Sequence, residues 1–206
     1  RFEGETTAYV AGIPQQITDS KTLVSGDGVT QHRSVAETTK KPHSWTAQII
    51  SGTPNPQYNP GSASLVDGVV GDVDWRKGEW TGVQGEDVVI ELRPNKIRRI
   101  QNLDLEIRLL KDVKSWIALP KGGEMWITLE DGTQWSAMEW SESHSTSEEP
   151  SRIASVRTSF RPIPRKEQRI AAIRIRLHNP GLLPNWHPGA GGETFIFIDE
   201  ISISAR

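Results

Sequence analysis

Residues 102–109, Asn102-Leu103-Asp104-Leu105-Glu106-Ile107-Arg108-Leu109, decide the fold. Apolar residues fall on every second position and polar ones fill the gaps, the period of a strand with one buried and one wet face. The same alternation recurs at Val88, Ile90 and Leu92, and at Ile173, Ile175 and Leu177 around Arg174 and Arg176. From Phe195 to Ile203 the chain is apolar on both faces apart from Asp199, Glu200 and the serines, so this last strand is expected to be central and covered on both sides. Helical periodicity is scarce. Strands every ten to fifteen residues or so with Gly- and Pro-rich turns between them predict an all-β antiparallel sandwich or jelly roll.

Between Met125 and Trp140 the dipeptide Asp131-Gly132 separates two alternating segments and suits a two-residue type I′ hairpin turn. That turn pairs Thr128 with Trp135 and Trp126 with Ala137. Met125, Ile127, Leu129, Met138 and Trp140 then share one face, and Trp126 and Trp135 the other. Two readings of that second face stay open: rings packed under a loop or an adjoining domain, or an exposed aromatic platform. Residues 141–151, SESHSTSEEPS, read as a solvated loop carrying His144, and residues 51–62, SGTPNPQYNPGS, as an irregular approach to the segment that begins at Leu65.

The chain has 206 residues, a normal size for one all-β domain, and no cysteine, which excludes a disulfide scaffold. A formal charge of -2 gives no concentrated basic surface for nucleic acid or anionic lipid, and no apolar run is long enough to span a bilayer, so neither nucleic acid nor membrane is an expected partner. The chain opens on Arg1 without an apolar leader and reads as a piece of a longer polypeptide. A boundary is expected near residue 42. Residues 1–42, with short strands at Thr6–Val10 and Ser20–Val24, form an accessory segment or the tail of a preceding β-domain; residues 43–206 form the main domain.

Catalytic signals are weak. There is no Gly-x-Ser-x-Gly elbow, and His32, His43, His144, His178 and His187 lack a metal-binding spacing. Asp199 and Glu200 are adjacent, and adjacent side chains on a strand point to opposite faces, so they are not expected to flank one substrate. The loop Leu65–Asp74 offers Asp67, Asp72 and Asp74 with two glycines, which reads either as an oxygen-rich cation site or as a plain acidic turn. The run Asn185-Trp186-His187-Pro188-Gly189-Ala190-Gly191-Gly192 lacks a dinucleotide spacing. It is either a binding loop or a crossing that tucks Trp186 into the barrel end. Arg165, Lys166, Arg169, Arg174 and Arg176 read either as a polyanion site or as a solvated charge pattern; the second is the stronger reading, with Arg174 and Arg176 on the wet face of a strand opposite Asp104 and Glu106.

Three strings, LVDGVVGDVDWRKGEWTGVQGEDVVIEL (65–92), SWIALPKGGEMWITLEDGTQW (115–135) and LPNWHPGAGGETFIFIDEISIS (183–204), resemble the discoidin-like (coagulation factor 5/8 type C) galactose-binding-like modules. The form nearest to them stands at the C-terminus of bacterial β-N-acetylhexosaminidases and other exported glycan-degrading enzymes. The resemblance covers residues 43–206. It implies a non-catalytic jelly-roll β-sandwich, extracellular or periplasmic, that binds glycan or packs in cis against the other domains of a parent glycoside hydrolase. It also implies a structural calcium held by Asp67, Asp72 and Glu200 with the Leu65 carbonyl. Many relatives carry a Thr ligand where this chain has Asp74-Trp75.

Sugar rings present C–H faces that stack on Trp while their hydroxyls are fixed by a few polar groups. Trp75 with Arg76, and Trp186 with Asn185 and His187, are therefore the expected glycan-contacting residues, whereas Trp80 and Trp116 are assigned to the barrel's own packing.

Overall fold

A computed structural model describes residues 44–96, 98–99, 102–141, 146–147, 150–160 and 169–205. They belong to one compact unit, Lys41–Arg206. The expected strands at Thr6–Val10 and Ser20–Val24, and His32, His43, His144, Arg165 and Lys166, lie outside the described residues.

The strands are β1 (Trp45–Ser51), β2 (Thr81–Gln84), β3 (Val88–Pro94), β4 (Arg98–Arg99), β5 (Leu103–Lys111), β6 (Gly122–Leu129), β7 (Gln134–Ser141), β8 (Arg152–Phe160), β9 (Arg169–His178) and β10 (Phe195–Ala205). The larger sheet runs β1-β3-β9-β6-β7, with β4 also on β9, and the smaller runs β2-β10-β5-β8. All these pairings are antiparallel, and among the described residues there is no α-helix. The chain is a jelly-roll β-sandwich, as its alternation predicts.

Leu103, Leu105, Ile107 and Leu109 of β5 meet Ile90 and Leu92 of β3 and Ile173, Ile175 and Leu177 of β9 in one buried core between the sheets. Burying a side chain of that size contributes about 1.5–3 kcal/mol, so each alternating strand contributes several such units. β10 is central, between β2 and β5. Its two faces are both covered because Ile196, Ile198 and Ile201 enter the main core. Phe197 instead joins Trp80, Leu110 and Ile117 in a second cluster packed against Tyr58, Trp75 and Phe195.

Two irregularities change what the sequence predicts. A bulge in β10 falls between Ile198 and Ile201, where three steps of β10 span two of β5, from Leu109 to Ile107. A bulge breaks the strict alternation of faces. Asp199 and Glu200 are both buried and both reach the same loop, contrary to the expectation that adjacent carboxylates diverge.

The second irregularity is in the β6–β7 hairpin. Gly132 N–H donates to the Leu129 carbonyl at 3.0 Å and Leu129 N–H to the Thr133 carbonyl at 2.8 Å, closing a three-residue loop with Gly132 at φ +84°. The pairing is then Thr128 with Gln134, Ile127 with Trp135 and Trp126 with Ser136, one residue away from the expected register. A one-residue slip flips a side chain to the other face, so Trp135 turns inward against the core and no longer shares a face with Trp126. Ala137 is the extra residue that restores the register, with Met125 opposite Met138, so Met138 and Trp140 pack on the core side as expected.

The expected cross-strand partners of Arg174 also differ. Asp104 and Glu106 lie on β5 of the smaller sheet; Glu106 pairs with Arg157 at 2.8 Å, and Arg174 pairs with Glu91 at 2.7 Å.

Candidate functional site

One end of the sandwich is formed by the turn between β2 and β3, the segment that follows β5, and the long connection from β9 to β10, joined where Gly85 N–H donates to the Thr194 carbonyl and Phe195 N–H to the Trp116 carbonyl. Trp116 follows a short 3-10 turn, Val113–Ser115, and has φ +70°, a left-handed conformation that costs a non-glycine residue about 1 kcal/mol. Backbone hydrogen bonds hold it there: its N–H donates to the Val113 carbonyl at 2.9 Å, and its carbonyl accepts from Phe195 N–H at 2.8 Å. The ring is seated on glycine backbone, since a Cβ at Gly189 would stand 2.6 Å from Cζ2 and one at Gly192 2.7 Å from Cζ3. Trp116 is 36% exposed. Its expected role in barrel packing is therefore corrected: the left-handed backbone turns it out onto the loop surface. Sequence reasoning had no signal for this, because that conformation is ordinarily left to Gly or Asn.

His187 fixes the second ring. It is 5% exposed; Nδ1 accepts from Gly189 N–H at 2.9 Å, which leaves Nε2 as the donor toward the Lys114 carbonyl oxygen at 3.4 Å. Its ring meets Trp116 edge-on at 6.3 Å between centroids and Trp186 at 5.6 Å. The expected sugar-contacting His187 is thus a buried positioning residue with both nitrogens engaged by backbone. Trp186, 44% exposed, and Asn185, also exposed, stay on the surface beside it.

Trp75 and Arg76 are placed elsewhere. Trp75 packs edge-on against Tyr58 at 5.4 Å and Phe197 at 6.1 Å, and its indole Nε1 is buried without a hydrogen-bond partner. The Arg76 guanidinium lies 4.4 Å from its ring centroid and is 3.2 Å from Asp74. This pair caps the second aromatic cluster and does not present an open ring face. Trp80, 1% exposed, donates from Nε1 to the Asp72 carbonyl at 2.9 Å and serves packing as expected.

The acidic loop 65–74 meets the β10 bulge. Gly68 N–H donates to Glu200 Oε2 at 3.0 Å and Gly71 N–H to Asp199 Oδ2 at 2.6 Å. Arg108 Nη2 donates to the Gly71 carbonyl at 3.2 Å, and Nη1 is 3.6 Å from Asp199 Oδ2. Burial pushes Glu200 up to about 7 from 4.5; the Gly68 N–H opposes this, and the charges of Asp67 and Asp199 add to it. Burial also raises Asp199, against the Gly71 N–H and Arg108, and its Oδ1 is buried with no hydrogen-bond partner.

Of the expected calcium ligands, Leu65 is fully buried in the core, and Asp67 and Glu200 come together at Gly68. Asp72 does not join them. Its Oδ2 takes Lys77 Nζ at 2.5 Å and its Oδ1 the Asp74 N–H at 3.0 Å, and the Lys77 hydrogen bond holds its carboxyl below the usual range. Among the described residues no three His, Asp or Glu side chains are grouped to hold a metal. Asp199 and Glu200 are desolvated carboxylates, Asp199 with one orphaned oxygen, and such oxygens are the donor chemistry a hard cation takes.

Three solved structures similar to this chain are family 32 carbohydrate-binding modules. One, the GH31 CBM32-2 bound to GalNAc, is 12% identical over 79% of this chain and 97% of its own, with a TM-score of 0.46. A module from Streptococcus pneumoniae EndoD is 12% identical over 78% and 96%, with a TM-score of 0.46. The module of C. perfringens NanJ in complex with galactose is 14% identical over 78% and 93%, with a TM-score of 0.40. At this identity the likeness is one of fold. No family model matches the chain, and no curated protein matches it. No helix among the described residues is long and apolar enough to cross a membrane.

Proposed function

We propose that this chain is a non-catalytic carbohydrate-binding module that takes sugar on the loop end bearing Trp116 and Trp186. The observation that carries this reading is a pair of exposed indoles held without freedom to collapse, one seated on Gly189 and Gly192, the other braced by buried His187. Pre-fixed rings lose little entropy when a pyranose stacks on them, which is how a small ligand is bound by few contacts. Asn185 is the polar group beside them that would fix a hydroxyl. The alternative of a purely structural module docking through Trp126 and Trp135 loses its basis, because those rings lie on opposite faces of the sheet.

The reading extends to a module working in cis with a bacterial glycoside hydrolase outside the cytoplasm, as the three sequence strings imply. A structural calcium belongs to the same proposal, held by Asp67, Glu200 and the Leu65 carbonyl, with Asp72 joining once Lys77 releases it. Bound there, the cation would neutralise the desolvated carboxylates and tie the 65–74 loop to β10.

Calorimetric titration of galactose and N-acetylhexosamine oligosaccharides, with Trp fluorescence followed in parallel, tests the sugar site. Binding is expected in the wild type, with a loss of about ten-fold or more in Trp116→Ala and Trp186→Ala and little change in Trp75→Ala. A flat response across a broad glycan panel, or loss confined to Trp75→Ala, would reject it.

A further inference from the structure

The outer face of the larger sheet carries a second aromatic surface, separate from the loop end. Trp126 of β6 stands in register with Arg174 of β9 on one side and Ser136 of β7 on the other. It is half-buried, and the slip that turns Trp135 into the core leaves it the only tryptophan among the described residues of this face. Arg176, one row along β9, has Glu124 as its in-register neighbour, yet its guanidinium lies 5.6 Å from the centroid of the Trp126 ring. Glu124 is turned instead to His178, whose Nε2 is 3.3 Å from Oε1, while the His178 Nδ1 is 3.1 Å from Asp87.

Arg174 is held through Nε by Glu91 Oε2 at 2.7 Å, and the other Glu91 oxygen takes Arg93 at 2.7 Å. Glu91 is 6% exposed, whereas the Arg174 side chain is 43% exposed. Two guanidiniums, Arg93 and Arg174, therefore share the sunken Glu91 carboxylate, and a third, that of Arg176, lies against the neighbouring indole. Glu91 orients Arg174 while its terminal nitrogens make no hydrogen bond among the described residues. Arg176 rests on the ring without a carboxylate of its own there.

We propose that this face binds a uronate-bearing glycan, whose carboxylate takes Arg174 and draws Arg176 off the indole, so that a pyranose C–H face replaces the guanidinium on Trp126. Indole and guanidinium stand side by side because β6 and β9 are neighbours, about 4.8 Å apart. A hexuronate presents the same pair of features, an apolar ring face and a planar carboxylate on the ring edge. Guanidinium groups match that carboxylate bidentately, and a neutral sugar offers nothing to replace it. Glu91, Arg174, Trp126 and Ser136 form one row across four strands, about 15 Å long, so an oligosaccharide rather than a monosaccharide is the natural occupant.

The experiment is calorimetric titration of the whole chain with oligogalacturonate, a neutral galactose oligomer and a single-stranded DNA oligomer of matched charge. Oligogalacturonate is expected to bind, and to weaken by about ten-fold in Trp126→Ala and in Arg176→Gln, with Trp126→Phe retaining most of the affinity. Trp186→Ala should leave it unchanged, and added salt should weaken it. Arg176→Gln changes a half-buried group on the sheet's outer face and keeps the test valid where Trp126→Ala fails to fold. Absence of oligogalacturonate binding, equal affinity in Arg176→Gln, loss in Trp186→Ala, or equal binding of the DNA oligomer would each overturn the proposal.

Discussion

Glu200 is held by one backbone N–H in a desolvated pocket with two other carboxylates nearby, and its carboxyl is pushed to about 7 from an ordinary 4.5. Between those values the folded chain keeps a proton that the unfolded chain has lost. The stabilisation is fully present below about pH 4.5 and disappears as the pH rises through about 7, at a total of roughly 3 kcal/mol. Asp199, also raised, adds in the same direction. The melting temperature of chelator-treated protein should therefore fall from pH 5 to pH 8, and fall much less in Glu200→Gln. Calcium favours the ionised carboxylate, so adding it at pH 8 should raise the wild-type melting temperature and leave Glu200→Gln unmoved. A wild type indifferent to both chelator and calcium would remove the metal from the proposal. Asp67 and Glu200 could be named from the sequence strings; Asp199 could not, because only the bulge turns it to the same loop.

The β6–β7 hairpin shows where reading a sequence by elements stops. Asp131-Gly132 identifies the turn, yet a two-residue I′ loop and a three-residue loop both want glycine in the left-handed region, so turn chemistry alone leaves the register open. Packing closes it: the slip moves Trp135 inward, onto the main core and near Phe160 at 6.1 Å, and Ala137 absorbs the offset. Burying a large ring is worth about 2 kcal/mol, enough to choose between loops that differ by less. By contrast β3, β5 and β9 are legible outright, since their alternation runs without a bulge between Val88 and Leu92, Leu103 and Leu109, and Ile173 and Leu177. Glycines in this hairpin should separate by cause. Gly132 has φ +84° with open space around its missing Cβ, so Gly132→Ala should cost about 1 kcal/mol in chemical denaturation. Gly123→Ala should cost several times as much, because its Cβ would stand 2.5 Å from the Arg176 carbonyl oxygen and would strike the Trp140 ring. Equal effects would mean that Trp140 does not lie against β6.

At the scale of the whole molecule, the sandwich was readable because β3, β5 and β9 each state a buried face, whereas the loop end was not, because its rings are positioned by contacts remote in sequence. Trp116 answers to Gly189 and Gly192, and Trp75 to Tyr58 and Phe197. Those contacts all fall inside Lys41–Arg206, which also contains both sheets and both apolar clusters. A unit with its own closed core should fold without outside help. A chain beginning at His43 should therefore unfold in one cooperative transition within about 5 °C of the same transition in residues 1–206, since a larger drop would correspond to more than about 1–2 kcal/mol of lost contacts. It should also keep the same fluorescence response to glycan as the longer chain. A lower transition with intact binding would mean that residues 1–42 support the sandwich; an unchanged transition with binding lost would mean that they complete the sugar site, and the loop-end assignment would have to include them.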